Sequence, residues 1–267
     1  RRGQFVLFDK CARSLVRHML LPMPSAHTKG VLVSPTIFGN LLAGPTAEDL
    51  PLDDPAATHT TVEGIRKVME GGSRLVNGLT QQPVIATYAG ARCACNQGSY
   101  MIRYNDGAPG VVTVTGVRST GLTTSNSLAR YLVDGMQKEL GLELFSDTVA
   151  LNARPESAWP GWWRRPFEDG VSDARSDHGC AVCFCEVISE GEIRDALDSP
   201  IRPRTMDALK RRTRALMGRC QGFDCKVPLA ELVSDHTGIG IEQLTNNGPG
   251  SELVAPGQTV CPKEVSV

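Results

Sequence analysis

No run of eighteen apolar residues occurs in the 267-residue chain, so no segment offers enough hydrocarbon to cross a bilayer as a helix. Neither sign of charge dominates: 28 Lys and Arg against 29 Asp and Glu leave −1 at pH 7, with no overall pull toward nucleic acid or an acidic membrane surface. The opening Arg1-Arg2-Gly3-Gln4 lacks an initiator Met and a signal-peptide pattern, and reads as an internal start. Two phosphate-binding patterns are also missing. The run Gly116 to Thr123 has Leu122-Thr123 where a P-loop needs Lys-Ser or Lys-Thr, and Gly238-Ile239-Gly240 has Gln243 where a dinucleotide fingerprint needs its third Gly. The chain therefore carries no nucleotide-binding βαβ start.

What is present is an ordinary globular content of 41% apolar residues and nine cysteines bunched toward one end. An odd count in a chain this long argues against a secreted disulfide scaffold and for metal ligands in a reducing compartment, the cytoplasm.

Along the chain, residues 3–8 and 30–33 are short β-favouring runs, with turn chemistry over 26–30. The Gly-, Pro- and Thr-rich stretch 34–46 suits strands joined by tight turns. Val62, Ile65, Val68 and Met69 recur at helical spacing, in a helix that ends or breaks near Gly71-Gly72. Strands are expected at 83–88, 100–104 and 111–114, the last two joined by a turn over 105–110. Glycine-punctuated residues 115–125 then lead into a helix through Leu128 to Val133. Such a strand, glycine turn and helix lets backbone N–H groups approach an anion or an electron-rich ring. Residues 151–179, with Pro155, Pro160, Pro166 and all three tryptophans (Trp159, Trp162, Trp163), read as a linker that the tryptophans anchor, and residues 247–267 as a flexible tail.

Four cysteines stand out: Cys183 and Cys185 in one pair, Cys220 and Cys225 in another, with helical sequence between. Two close thiolates on each of two loops supply four soft ligands, suited to an iron–sulfur cluster or to zinc. Cys180 is an alternative fourth ligand, while Cys93 and Cys95 read as ordinary thiols. Ser189 to Glu192 is a capping box, Thr205 caps a second helix, and Pro228 suits the first turn of a third. The module is a small helical unit with its cysteines on loops or helix ends, too small to bury much core without a metal. Residues 202–219 hold Arg202, Arg204, Lys210, Arg211, Arg212, Arg214 and Arg219 against only Asp207, a solvated basic face or a source of positive potential for a cluster.

The run Cys183-Phe184-Cys185-Glu186, the cap at 189–192, Lys210 to Arg214, and Met217 to Gly222 with Cys225 together resemble the [2Fe–2S] domain related to bacterioferritin-associated ferredoxin. That domain occurs at the C-terminus of anaerobic glycerol-3-phosphate dehydrogenase large subunits. Lys29-Gly30-Val31, Gly39-Asn40, Gly44-Pro45-Thr46, Thr87 to Arg92 and Gly116 to Thr123 resemble the later part of FAD-dependent oxidoreductases of the D-amino-acid oxidase superfamily, in the branch of glycerol-3-phosphate and L-2-hydroxyglutarate dehydrogenases.

The resemblance implies an α+β fold: the mixed or antiparallel-sheet substrate-domain portion of a flavin oxidoreductase over 1–150, then a helical iron–sulfur domain over 180–246. It implies FAD lying against Gly116, Val117, Arg118, Ser119, Thr120, Gly121, Leu122 and Thr123. It gives Arg92 the role of gripping a small anionic hydroxy substrate, and makes Cys183, Cys185, Cys220 and Cys225 the ligands of a [2Fe–2S] cluster. One implied partner is an N-terminal FAD-binding segment or subunit. The other is an electron-acceptor protein or quinone-linked subunit, with no nucleic acid and no membrane span. The chain would then be cytoplasmic, or peripheral to the inner face of the membrane through a partner. The alternatives are a zinc-stabilised structural module and a non-catalytic electron-transfer or assembly subunit.

Overall fold

The computed structural model describes residues 1–24, 29–51, 57–93, 95, 100–143, 176–255 and 258. Most of the expected turn at 26–30, the linker with its tryptophans up to residue 175, and the end of the tail lie outside these residues. The chain divides into two compact units, Arg1–Asp147 and Thr148–Val267.

The first unit is built on β1 (Arg2–Phe8), which pairs antiparallel with both β3 (Leu41–Gly44) and β4 (Val84–Ala91); β2 (Leu32–Pro35) lies outside β3, giving the order β2-β3-β1-β4. Strand alternation sends Gln4, Val6 and Phe8 to the buried face. There α1 (Val62–Ser73) inserts Val68 among Val6, Phe8, Val33, Leu41, Ala43, Val76 and Leu79. Each large side chain so covered contributes about 1.5–3 kcal/mol. Gln4 is the polar exception, and its amide is fully used. Its Nε2 donates to Glu48 Oε1 at 2.8 Å and to Thr61 Oγ1 at 3.0 Å, and its Oε1 accepts from the Thr61 N–H at 2.7 Å. Because Thr61 is the N-cap of α1, this residue fastens the start of the helix to the central strand. The helix ends just past Gly71-Gly72, where Leu79 folds back onto Gly72.

A hairpin of β5 (Met101–Tyr104) and β6 (Val112–Thr115) turns over 105–111, and α2 (Gly121–Leu140) follows the glycine turn. The helix is longer than the expected 128–133: it begins inside the glycine run and stops at Gly141 in the left-handed conformation.

The second unit comprises β7 (Ala181–Cys183), β8 (Ile188–Ser189), α3 (Glu190–Leu197), α4 (Met206–Thr213) and α5 (Lys226–Thr237) around Ile188, Ile193, Leu197, Met206, Leu209, Leu229 and Val233. The unit is built mainly of helices, as expected, with two short strands in addition, so that Cys183 lies in a strand rather than on a loop or helix end. Strands of three and two residues carry no readable period, and Cys183 ends one of them. Residues at both edges are also built in. His178 is buried against Gly191, and Leu253 donates its N–H to the Leu244 carbonyl at 2.9 Å and packs on the core. Among the described residues no helix is long and apolar enough to cross a membrane.

Candidate metal centre and glycine loop

The metal centre rests on two loops. The four residues between β7 and β8 carry Cys185 and Glu186. They are followed at once by the capping box, in which Ser189 Oγ accepts from the Glu192 N–H at 3.2 Å and Glu192 Oε2 accepts from the Ser189 N–H at 2.9 Å. The second loop runs from Arg214, which closes α4 in the left-handed conformation, to Cys225 at the N-cap of α5. Val187 (φ 55°), Arg214 (70°), Leu216 (70°) and Gln221 (51°) are four non-glycine residues with positive φ in these two loops. Such backbone persists only where the surroundings enforce it.

The loops meet at Gly218. A Cβ there would lie 2.1 Å from Cys185 Cβ and 3.3 Å from its sulfur, so only glycine lets the second loop come this close. Cys183 and Cys225 are buried; Cys185 and Cys220 are half-buried. The sulfurs of Cys185 and Cys220 and a carboxylate oxygen of exposed Asp224 lie within 4.8 Å of one another. A backbone hydrogen bond from Cys220 lowers the Cys185 thiol, but burial and the Cys220 and Cys183 sulfurs outweigh it and raise it. Burial first, and then Cys183 and Cys220, push the Cys225 thiol up to about 12. The burial and neighbouring sulfurs that raise Cys185 and Cys225 disfavour uncompensated thiolates there, a cost that a metal centre would offset, and the all-sulfur set of four fits a [2Fe–2S] cluster. Cys180 is exposed, and Cys93 and Cys95 lie in the first unit.

The cation-rich stretch is not wholly a solvated face. Arg211 is paired with Asp207, and Arg214 Nε donates to buried Glu186 Oε2 at 3.0 Å, joining the two cysteine loops. Residue type alone does not mark Glu186, Asp224 or Gly218 as functional, although Glu186 and Gly218 lie within the motif runs around the cysteines.

In the first unit, Gly116 is buried with φ 73°, turning the chain from β6 toward a short 3-10 turn at Arg118–Thr120. Arg118, Ser119, Thr120, Leu122 and Thr123 are exposed or nearly so, Val117 and Gly121 half-buried. The N-cap residue of α2, Thr120, makes no side-chain cap hydrogen bond, and the exposed loop with its glycines fits a flat ring laid against the backbone. The Tyr100 hydroxyl, on a residue without a motif, bonds the hydroxyls of Thr120 and Thr124 and steadies the turn. Arg92 leaves the end of β4, half-buried. Burial and the charges of Arg1 and Arg118 hold its guanidinium below the usual value, with Asp49 opposing. Arg92 and Arg118 thus face one locally cationic region, which an anion would relieve.

A sheet-and-helix unit with an open glycine loop, followed by a small unit of converging thiols, defines a two-centre redox protein class. The chain belongs to the FAD-dependent oxidoreductase family, whose model matches residues 1–135, and the BFD-like [2Fe–2S] binding domain matches residues 181–235. FAD and a [2Fe–2S] cluster are the cofactors of these two families, which decides the metal left open by spacing in favour of iron–sulfur. A glycerol 3-phosphate dehydrogenase of Caloramator mitchellensis is 34% identical over 257 residues, covering 95% of this chain and 52% of its own length. One component of the anaerobic glycerol-3-phosphate dehydrogenase of Escherichia coli K12 is 24% identical over 224 residues, covering 72% of this chain and 40% of its own. The solved structure of dithionite-reduced L-α-glycerophosphate oxidase from Mycoplasma pneumoniae, with FAD bound, covers 54% of this chain and 36% of its own at 28% identity and a TM-score of 0.46. The chain spans about half the length of the first of these relatives, and less of the others.

Proposed function

We propose that this chain works as part of a flavin-dependent dehydrogenase that oxidises glycerol 3-phosphate or a similar small anionic hydroxy compound. The observation that carries this is the union, in one chain, of the flavin oxidoreductase family match with four converging thiols in a BFD-like domain. When bound, FAD accepts the hydride released as the substrate hydroxyl becomes a carbonyl, and the cluster passes the electrons on one at a time. Arg92 grips the substrate's anionic group, with a planar fork suited to phosphate or carboxylate. Gly116 to Thr123 lie against the flavin with backbone rather than bulk. Cys183, Cys185, Cys220 and Cys225 hold the iron. An N-terminal FAD-binding segment or subunit completes the flavin site. An acceptor protein or quinone-linked subunit receives the electrons, in the cytoplasm or at the inner face of the membrane.

The test is Arg92→Ala in the full-length protein, assayed with glycerol 3-phosphate and an artificial acceptor. KM should rise about a hundredfold or more, the loss of a charge-assisted contact worth about 3 kcal/mol. Unchanged KM removes Arg92 from the substrate site, and no turnover of glycerol 3-phosphate by the wild-type protein removes this substrate.

A further inference from the structure

We infer that the buried pair Glu186–Arg214 sets the reduction potential of the cluster while holding its two cysteine loops at their working spacing; this rests on the four thiols being [2Fe–2S] ligands. Glu186 directly follows Cys185 and is 1% exposed. Arg214 begins the loop that leads to Cys220, and its Nε reaches Glu186 Oε2 at 3.0 Å with its own side chain 12% exposed. The bond spans 28 residues of sequence and ties one loop to the other. Both ends sit on enforced backbone, for Arg214 itself and Val187, next to Glu186, have positive φ.

A buried ion pair is a poor way to gain stability, since an apolar pair of the same volume does as well or better. Its charges nevertheless act strongly on a neighbouring centre, because the interior screens them far less than water screens a surface cation such as Arg211. A four-thiolate cluster gains one negative charge on reduction. The Glu186 carboxylate opposes that charge and the Arg214 guanidinium favours it, so the two ends of the pair pull the potential in opposite directions. Both are positioning residues, acting on the cluster without ligating it.

The experiment is a redox titration of the visible spectrum of the full-length protein and its Glu186→Gln, Arg214→Gln and double variants, each first analysed for iron and sulfide. Glu186→Gln should raise the midpoint and Arg214→Gln lower it. Each should change the ratio of reduced to oxidised cluster at the wild-type midpoint by about tenfold or more, which is about 59 mV for a one-electron couple. The double variant should return toward wild type. Arg214→Lys keeps the charge, so it should hold the midpoint near wild type. Should Arg214→Gln fail to fold, Glu186→Gln and Arg214→Lys decide the matter alone. Shifts of the same sign, or no shift, in cluster-loaded variants would overturn the proposal. Wild-type protein without iron and sulfide would overturn the cluster assignment beneath it, a failure that the iron analysis distinguishes.

Discussion

Gly218 and Gly240 present the same kind of crowding with opposite consequences. A Cβ on either would come within 2.1 Å of another atom, but at Gly218 that atom is Cys185 Cβ, anchored to backbone, whereas at Gly240 it is the free end of the Glu242 carboxylate. Gly218→Ala should therefore force the cysteine loops apart, costing about 1–3 kcal/mol as other overpacked sites do and removing most of the bound iron. Gly240 has an ordinary φ of −58°, so Gly240→Ala should change stability by no more than about 0.5 kcal/mol. Iron per chain and thermal melting check both, and an iron-replete Gly218→Ala protein would contradict the loop contact. At this scale the cysteines are legible in the sequence because thiol pairs are rare and chemically specific. The pairing of Glu186 with Arg214 is not, because a buried pair 28 residues apart looks like two ordinary surface charges until the loops are folded together.

Elements are legible where their determinants are local. Ser189, Glu192 and Thr205 lie within three residues of the N–H groups they cap, and both helices start where the caps predict. Ser189→Ala should cost about 1 kcal/mol in the second unit, measured by denaturant unfolding, since both halves of the capping box depend on that hydroxyl or its helix start. The β7–β8 hairpin is hidden because its strands are too short to show alternation, and the full extent of α2 because its first turn is written in glycine and threonine rather than in apolar period.

In the sheet, burial raises the Glu48 carboxyl, but hydrogen bonds from Arg2, Thr46 and Gln4 outweigh it and hold the group below the usual carboxylate range. A depressed folded value contributes stability that is present above the unfolded value, about 4.3, and is lost as pH falls through the folded one. Glu48→Gln should thus flatten the acid limb of unfolding below about pH 4 and leave the slope near neutrality unchanged. An acid limb as steep as wild type would contradict this.

The whole molecule pairs two units of different dependence. The sheet of the first is closed by its own helix α1, whereas α2 buries none of its residues and leaves Leu122 91% exposed. The second unit has its own apolar core but brings four thiols together at a cost in strained backbone that a metal centre would offset. Family resemblance in the motif runs carries this division and the pair of cofactors; composition and charge alone say little beyond the absence of a long apolar span. The central claim is that the thiols hold iron and sulfide. Purified under anaerobic conditions, the protein should contain about two iron and two acid-labile sulfide per chain and show visible absorbance that bleaches with dithionite. A colourless protein holding one zinc per chain would contradict it.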